Sequence, residues 1–134
     1  MLIQYSTNLD LLEKLNIEGF FVGWPSPPSS TVFRKLLEGS YKAVLAFEDH
    51  KLVGFVNSIS DGVLSAYIPL LEVLPTHHNK GIGKELIKRI QKELEHLYMV
   101  DLLCDQELIS YYEKLGMMKA QGACMRNYDR QSGN

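Results

Sequence analysis

The order of segments along the chain predicts an α/β (α+β) fold built on a mixed sheet. A strand-like start is followed by helical spacing, by a β-rich middle and then by alternating helix and strand signals. The 134 residues, 46% of them apolar and 22% charged, are enough for an ordinary domain with a real core. Since we find no linker or repeat, we expect a single domain over residues 1–134.

The first third of the chain predicts one short strand and two helices. Apolar residues in 2–5 open the strand, and leucines in 9–15 recur at helical spacing behind good N-cap residues. The segment 23–30 is rich in proline and serine, so we expect an ordered loop that ends in a helix cap. A helix over 32–37 follows, and Gly39 suits its C-terminal stop.

The middle of the chain predicts a β-hairpin and a long extended segment. Residues 41–47 and 52–59 are strand-like and flank a short polar turn, 48–51. Residues 63–74 form a long extended run that Pro75 closes. These elements supply most of the predicted sheet.

The last third predicts two helices and two strands. Apolar residues within 84–96 fall on one helical face, and residues 98–104 are strand-like. Residues 107–115 have helical spacing, and 117–128 are expected to form a further strand with a break near Gln121. The predicted sheet therefore receives strands from both halves of the chain.

Composition excludes several classes of partner. The formal net charge is −2 and no run of lysine or arginine stands out, so we expect neither nucleic acid nor a membrane surface as a partner. No apolar run reaches the length of a membrane span. The start of the chain lacks the features of a signal peptide, and we therefore expect a cytoplasmic protein.

The cysteines and histidines do not predict a metal site. Cys104 and Cys124 lack the short spacing of metal-binding pairs, and none of the four histidines supplies such a pair. We expect free thiols in a reducing compartment rather than a disulfide. For Cys104 a covalent acyl intermediate is conceivable, but we expect a buried, inert thiol.

The most informative segment is the strand–loop–helix junction over 71–86. A helix start directs free backbone N–H groups and the positive end of the helix dipole toward the preceding loop. Gly81 and Gly83 allow a phosphate to approach the backbone, and Lys80 and Lys84 add positive charge. The junction predicts a phosphate or pyrophosphate site, although a tight turn that serves only the fold is the alternative.

Two common phosphate loops do not match this junction. A Walker A loop would have a glycine where this chain has His78, and a Ser or Thr where this chain has Glu85. A Rossmann fingerprint needs a small residue at Leu86 and a place near the first strand. A nucleotide-phosphate binder is therefore disfavoured.

Two motifs resemble those of the GNAT superfamily of N-acetyltransferases. Residues 73–84 (VLPTHHNKGIGK) look like its motif A, in which Gln or Arg precedes two spaced glycines after a strand and a proline. Residues 105–117, with YYEKLGM at the end, are similar to motif B, Phe-Tyr-x-Lys-x-Gly-Phe. Order and spacing fit over nearly the whole chain. The resemblance implies a largely antiparallel central sheet flanked by helices.

The resemblance also implies roles for residues near the junction. The strand around Leu71 and Val73 would splay from its neighbour and hydrogen-bond the pantetheine arm of acetyl-CoA through its backbone. The pyrophosphate would meet backbone N–H groups of the motif A loop, namely Asn79, Lys80, Gly81, Ile82, Gly83 and Lys84. Acetyl-CoA is thus the expected co-substrate, without a metal.

Tyr112 is the expected general acid, because the motif B tyrosine lies near the thioester sulfur and can protonate the leaving thiolate. A core aromatic is the alternative. Tyr67 stands about where some relatives have a glutamate base, and Glu72 is the nearest carboxylate, either a base or an exposed strand residue. Trp24 either walls the acceptor pocket or anchors its loop on the core.

Some residues depart from the family pattern. His78 stands where Gln or Arg is usual, so it could still donate to a phosphate, but with weaker or pH-dependent CoA affinity. His77 is expected to face solvent. Met117 replaces the usual phenylalanine, which a core tolerates.

The resemblance implies an N-acetyltransferase that moves an acetyl group from acetyl-CoA directly to a primary amine. The acceptor cannot be identified from the sequence. The alternative is a catalytically weak acyl-CoA-binding regulatory module, which the departures at His78 and Tyr67 favour. Because many family members are dimers, a homodimer is expected.

Overall fold

In the computed structural model, which describes residues 2–134, six strands form one sheet. They are β1 (Gln4–Ser6), β2 (Lys42–Glu48), β3 (Lys51–Ser60), β4 (Ser65–Tyr67), β5 (Leu71–Val73) and β6 (Met99–Asp101). Their order is β1-β2-β3-β4-β6, and β5 also pairs with β3. The β4–β6 pairing is parallel and the other pairings are antiparallel. The prediction of a mixed, largely antiparallel sheet is confirmed.

In the described part of the chain, three α-helices flank this sheet: α1 (Ser30–Glu38), α2 (Ile82–Glu93) and α3 (Ile109–Glu113). Helix α1 begins at a serine cap, since the hydroxyl of Ser29 accepts the N–H of Val32 at 3.2 Å. Short 3₁₀ turns lie at Leu9–Lys14, Pro75–His77, Gln106–Leu108 and Tyr128–Arg130. Within residues 2–134, no helix has the length and apolarity needed to cross a membrane.

The core has one cluster on each face of the sheet. Helix α2 buries its apolar side against one face, through Leu86, Ile87, Ile90 and Leu94. Helix α1 buries Phe33 and Leu37 against the other face, together with Phe55 of β3. The periodic apolar residues of both helices therefore point at the sheet, as amphipathic helices do.

Gly54 on β3 brings the start of α2 close to the sheet. A Cβ at this position would lie 3.2 Å from Leu86 Cδ1 and 3.3 Å from both Ile82 Cγ2 and the carbonyl oxygen of Glu72. Only a residue without a Cβ leaves these contacts undisturbed. The packing at Gly54 thus sets the position of the loop that precedes α2.

The predicted strand over 117–128 is wrong. Residues 117–127 contain no helix or strand, and a 3₁₀ turn begins at Tyr128. Residues 118–130 are all exposed, so a strand here would bury almost no apolar surface. Apolar residues such as Met117, Met118 and Met125 recur in this segment, which is why it resembles a strand in the sequence.

The boundaries of the other elements differ from the predictions by smaller amounts. The extended run 63–74 is divided into β4 and β5 around Pro69, which has no N–H to give to a ladder. The first predicted helix, 9–15, is a 3₁₀ turn. Helix α2 starts two residues earlier than predicted, at Ile82, and ends at Glu93. The hairpin turn is confirmed, and it places Asp49 in the left-handed region with φ 53°.

Candidate active site

A cavity of about 770 Å³ opens where β5 and the chain after β6 diverge. Strand β4 pairs with β6 as far as Tyr67 and Asp101, and the N–H of Ile68 still donates to the Asp101 carbonyl at 2.9 Å. Beyond Pro69, β5 pairs with β3 alone. The split between neighbouring strands leaves a cleft with backbone on both sides.

The cavity brings together residues that the sequence had placed far apart. Its wall contains the predicted site residues Trp24, Leu71, Glu72, Val73, His78 and Tyr112. They come from the loop before α1, from β5, from the junction before α2 and from α3. The rest of the predicted cofactor residues follow His78 directly, in the exposed residues Asn79–Gly81 and the first turn of α2, Ile82–Lys84.

Strand β5 presents a free backbone edge to this cavity. The carbonyl of Leu70 accepts a hydrogen bond from β3 at 3.2 Å, and the N–H of Leu74 donates to β3 at 2.8 Å. Backbone groups alternate in direction along an antiparallel strand, so those of Leu71 and Val73 point away from β3. They can bond an extended ligand that contains amide groups.

The side chain of His78 bonds this free edge. Its Nε2 donates to the carbonyl oxygen of Val73 at 2.8 Å, and its backbone N–H donates to the carbonyl of Pro75 at 3.3 Å. These bonds fold the loop back onto β5. A contact between His78 and a phosphate would require the ring to leave Val73.

The loop from Asn79 to Lys84 is shaped to bind an anion. Asn79 and Gly81 both have left-handed backbones, with φ of 63° and 77°. Within residues 2–134, no acceptor is paired with a backbone N–H of this loop, and the first bond of α2 runs from Glu85 N to Gly81 O at 3.1 Å. Successive unpaired N–H groups at a helix start form a concave anion site.

Positive charge surrounds this loop. Neither Lys80 nor Lys84 takes part in an ion pair with the rest of the described chain. Both ammonium groups are exposed and lie beside the N-terminus of a helix of 12 residues. The loop therefore combines side-chain charge with the helix dipole.

His77 anchors the other side of the loop, contrary to the expectation that it faces solvent. Its Nδ1 shares a hydrogen bond with the hydroxyl of Thr76 at 2.8 Å. Its Nε2 lies 3.3 Å from the carboxylate of Glu48, at the end of β2. The ring is half-buried, and it ties the loop to the hairpin.

Gly83 lies at the contact between α2, β5 and α3. A Cβ there would be 3.4 Å from the hydroxyl of Tyr111 and 3.8 Å from Val73 Cγ2. A small side chain would just fit, whereas a long one would displace Tyr111 or Val73. Gly83 thus allows α2, β5 and α3 to lie close together beside the loop.

Tyr112 projects from α3 into the cavity and keeps its proton. Burial raises its pKa to about 12, and the neighbouring Cys104 and Tyr111 add to the shift. Its hydroxyl makes no hydrogen bond to any other of residues 2–134, so it can donate to a ligand. The ring is held edge-on against Tyr111, with 5.1 Å between ring centroids.

Glu72 holds the loop that precedes α1. Its carboxylate accepts the N–H of Phe21 at 2.9 Å and the N–H of Val22 at 3.3 Å. Phe21 has a left-handed backbone, φ 62°, which is costly for an aromatic residue and requires such support. The carboxylate still lines the cavity, since each oxygen retains acceptor capacity after one bond.

Trp24 is attached to the core and also reaches the cavity. Its ring packs edge-on against Phe21 with 4.9 Å between centroids, so it anchors the loop. It is also 38% exposed and forms part of the cavity wall. Trp24 can therefore meet a ligand while remaining attached to the core.

Several residues of the cavity wall were not predicted from the sequence. They are Ile68, Pro69 and Leu70 at the strand break, Leu102–Asp105 and Leu108 after β6, and Gly122, Ala123, Cys124 and Arg126 in the last segment. Pro69 was the one sequence signal for this strand break, because a proline has no N–H to donate to a β-ladder. Both cysteines are free and exposed on this wall, so the expectation that Cys104 is buried is wrong. Among residues 2–134, no cluster of His, Cys, Asp and Glu could hold a metal ion.

Comparison with known proteins finds similar chains. An N-acetyltransferase of uncharacterized function from Gracilaria tenuistipitata var. liui, ycf52, is 31% identical over 83% of this chain and 62% of its own length. The chain thus spans about three fifths of the length of this curated relative. A crystal structure of a candidate acetyltransferase from Deinococcus radiodurans R1 is 43% identical, with a TM-score of 0.90 over 97% of this chain and 92% of that one.

A more distant structure shares the fold. The GNAT family acetyltransferase SP0256 from Streptococcus pneumoniae TIGR4 is 22% identical, with a TM-score of 0.67 over 94% of this chain and 97% of that one. The sequence profile described as the acetyltransferase (GNAT) family matches residues 9–117. This match includes every site residue that was predicted from the sequence, and we conclude that the chain belongs to the GNAT acetyltransferase family.

Proposed function

We propose that this chain is an N-acetyltransferase that moves an acetyl group from acetyl-CoA directly to a primary amine. Family membership supports acetyl transfer in general. The observation that carries the finer proposal is the run of unpaired backbone N–H groups over Asn79–Lys84, beside the free edge of β5. An anion site next to an open strand edge matches a ligand with a pyrophosphate and an amide-containing arm.

The residues of this region fit such a ligand in chemistry and placement. The N–H groups of the loop, with Lys80 and Lys84, would hold the pyrophosphate. The backbone of Leu71 and Val73 would bond the amide groups of the pantetheine arm. When bound, acetyl-CoA supplies an acetyl group activated as a thioester.

Tyr112 is the proposed general acid. As the amine nitrogen bonds to the acetyl carbon, the carbon–sulfur bond breaks and negative charge collects on the leaving sulfur. The Tyr112 hydroxyl is protonated at neutral pH and donates to none of the other residues in 2–134, so it can give its proton to that sulfur. Solvent would then return a proton to the tyrosine.

Glu72 is the proposed base, acting directly or through a water molecule. The amine must lose a proton to complete the transfer, and the Glu72 carboxylate lies on the wall of the same cavity as Tyr112. Its bonds to Phe21 and Val22 fix it in place. Trp24, on the same loop, would form a wall of the acceptor pocket.

The setting of the reaction is also part of the proposal. We treat residues 1–134 as one N-acetyltransferase domain acting in the cytoplasm as a homodimer, without metal, nucleic acid or membrane partner. The two free, exposed thiols support a reducing compartment. The acceptor is a small molecule or peptide that presents a primary amine.

The experiment compares wild type with Tyr112→Phe and Tyr98→Phe. Thiol release from acetyl-CoA is measured with a panel of primary amines: spermidine, glucosamine, free amino acids and a lysine-containing peptide. Loss of the proton donor should lower kcat by roughly 100-fold or more, with little change in KM for acetyl-CoA. Tyr98 is exposed on the surface, so removal of its hydroxyl should leave kcat unchanged.

A fall in kcat that is equal in both variants would remove Tyr112 from the mechanism. Acetyl-CoA binding without turnover on any amine would instead favour the regulatory acyl-CoA-binding module. Because Tyr112 should stay protonated to about pH 11, the rate should not fall on the alkaline side of neutrality through ionisation of this residue.

A further inference from the structure

The cavity wall carries charges that nothing in the described chain neutralises. Glu72, Asp105 and Arg126 all line it, and none of the three forms an ion pair within residues 2–134. The ion pairs that do form lie elsewhere, on the helices, the hairpin and the loop anchor. A ligand with charges of both signs would complement this wall.

The last segment, which contains Arg126, returns to the loop that carries Trp24. Five residues after Arg126, the side-chain oxygen of Gln131 accepts the N–H of Ser26 at 2.7 Å. Further along, Gly133 lies against Val32 of α1. Arg126 and Trp24 both line the cavity, so the last segment and this loop contribute to the same wall.

The guanidinium of Arg126 is free to bind an anion. Its contact within residues 2–134 is a long bond of 3.4 Å to the carbonyl of Met125, which leaves its other donors unused. An arginine presents paired N–H donors that match a carboxylate or phosphate. The pyrophosphate of the co-substrate has a separate proposed site at Asn79–Lys84, so Arg126 is available to the acceptor.

We propose that the acceptor is an amine that also carries an anionic group, and that Arg126 is the residue that selects it. This inference rests on the acetyltransferase function proposed above. Glu72 and Asp105 attract the ammonium group of the free acceptor, while Arg126 binds its carboxylate or phosphate. The distance between the two charges of the acceptor would then set how well its amine reaches the acetyl carbon.

The test uses matched pairs of amines that differ only in the anionic group. The pairs are glycine and glycinamide, β-alanine and its amide, 4-aminobutyrate and its amide, and O-phosphoethanolamine and ethanolamine. The kcat/KM at saturating acetyl-CoA should favour the anionic member of at least one pair by roughly tenfold or more. The first three pairs report a carboxylate and the fourth a phosphate.

Two variants assign the preference to its residue. Arg126→Gln should remove most of the preference and leave KM for acetyl-CoA unchanged. Arg130→Gln is the matched control, because this exposed arginine is four residues further along and is not part of the cavity wall. The control should keep the wild-type preference.

Calorimetric titration separates this inference from the proposed function. Acetyl-CoA and two product analogues, N-acetyl-β-alanine and its amide, are each titrated into the protein. Failure of acetyl-CoA to bind would overturn the proposed function, yet tighter binding of the anionic analogue, lost in Arg126→Gln, would still support the inference. The inference would be overturned by two results together. The members of every pair would react at equal rates or not at all, and the two analogues would bind equally tightly or not at all.

Discussion

The two ends of the cavity, called here the co-substrate end and the acceptor end after the ligands proposed for them, are held in different ways. The co-substrate end is tied to the core: Leu74 bonds β3, His77 bonds Glu48, His78 bonds Val73, and α2 buries its apolar face directly behind the loop. The acceptor end depends on the exposed segment 118–130. Changes at the first end should therefore alter stability and co-substrate affinity, whereas changes at the second should alter specificity and leave stability almost unaffected.

The largest effect on stability should come from Gly54→Ala. The added methyl would lie 3.2 to 3.3 Å from Leu86, Ile82 and the backbone of Glu72, so helix or strand must move. We expect the free energy of unfolding to fall by about 1–3 kcal/mol, measured by urea denaturation. Acetyl-CoA affinity should also fall, because the helix start moves.

The matched change at the acceptor end is Gly122→Ala. Its Cβ would meet Leu103 Cδ2 at 3.4 Å, an ordinary contact with a flexible side chain. Its unfolding free energy should stay within about 0.5 kcal/mol of wild type. If both variants lost the same stability, the contrast between the two ends would not hold.

A smaller effect is expected from His78→Ala. The variant loses the 2.8 Å hydrogen bond to Val73, which holds the loop on β5. One exposed hydrogen bond contributes about 0.5–1.5 kcal/mol, so acetyl-CoA affinity should weaken by roughly 2- to 10-fold. Calorimetric titration measures the change, and His50→Ala, in the exposed hairpin turn, serves as its control.

A gain in affinity for His78→Ala would show that the imidazole competes with the co-substrate for the Val73 carbonyl. A loss of 100-fold or more would make His78 a direct phosphate ligand. Either result would contradict the proposed role of His78, which is to hold the loop on β5.

The smallest effect should come from Met118→Ser. This side chain is 88% exposed in the last segment, so its removal should change the unfolding free energy by less than about 0.5 kcal/mol. Thermal unfolding at two protein concentrations measures it. A loss above 1 kcal/mol that depends on concentration would show that a second copy covers this face.

Much of the co-substrate end could be predicted from the sequence because its signals are local. The helical period of Leu86, Ile87 and Ile90 and the paired glycines before them all lie within a dozen residues. A helix start creates free N–H groups wherever it occurs, so the loop chemistry follows from neighbouring residues. In the structure the loop follows His78 directly, and His78 lines the cavity beside β5.

The acceptor end could not be predicted because its contacts are distant in the chain. Glu72 bonds Phe21, which is 51 residues away, and no local pattern indicates that pair. Arg126 joins the wall only because the last segment leaves the sheet, contrary to the predicted strand. The apolar content of a short segment does not show whether it pairs with a sheet, since pairing depends on the neighbouring strand.

The central claim is that acetyl-CoA binds at the loop before α2. Its most direct test is calorimetric titration of wild type and Gly83→Glu with acetyl-CoA, with circular dichroism to confirm that both are folded. The added carboxylate would occupy the approach to the free N–H groups and repel the pyrophosphate. We predict roughly micromolar binding by wild type and none by the variant. Equal binding by both proteins, or none by a folded wild type, would contradict the account.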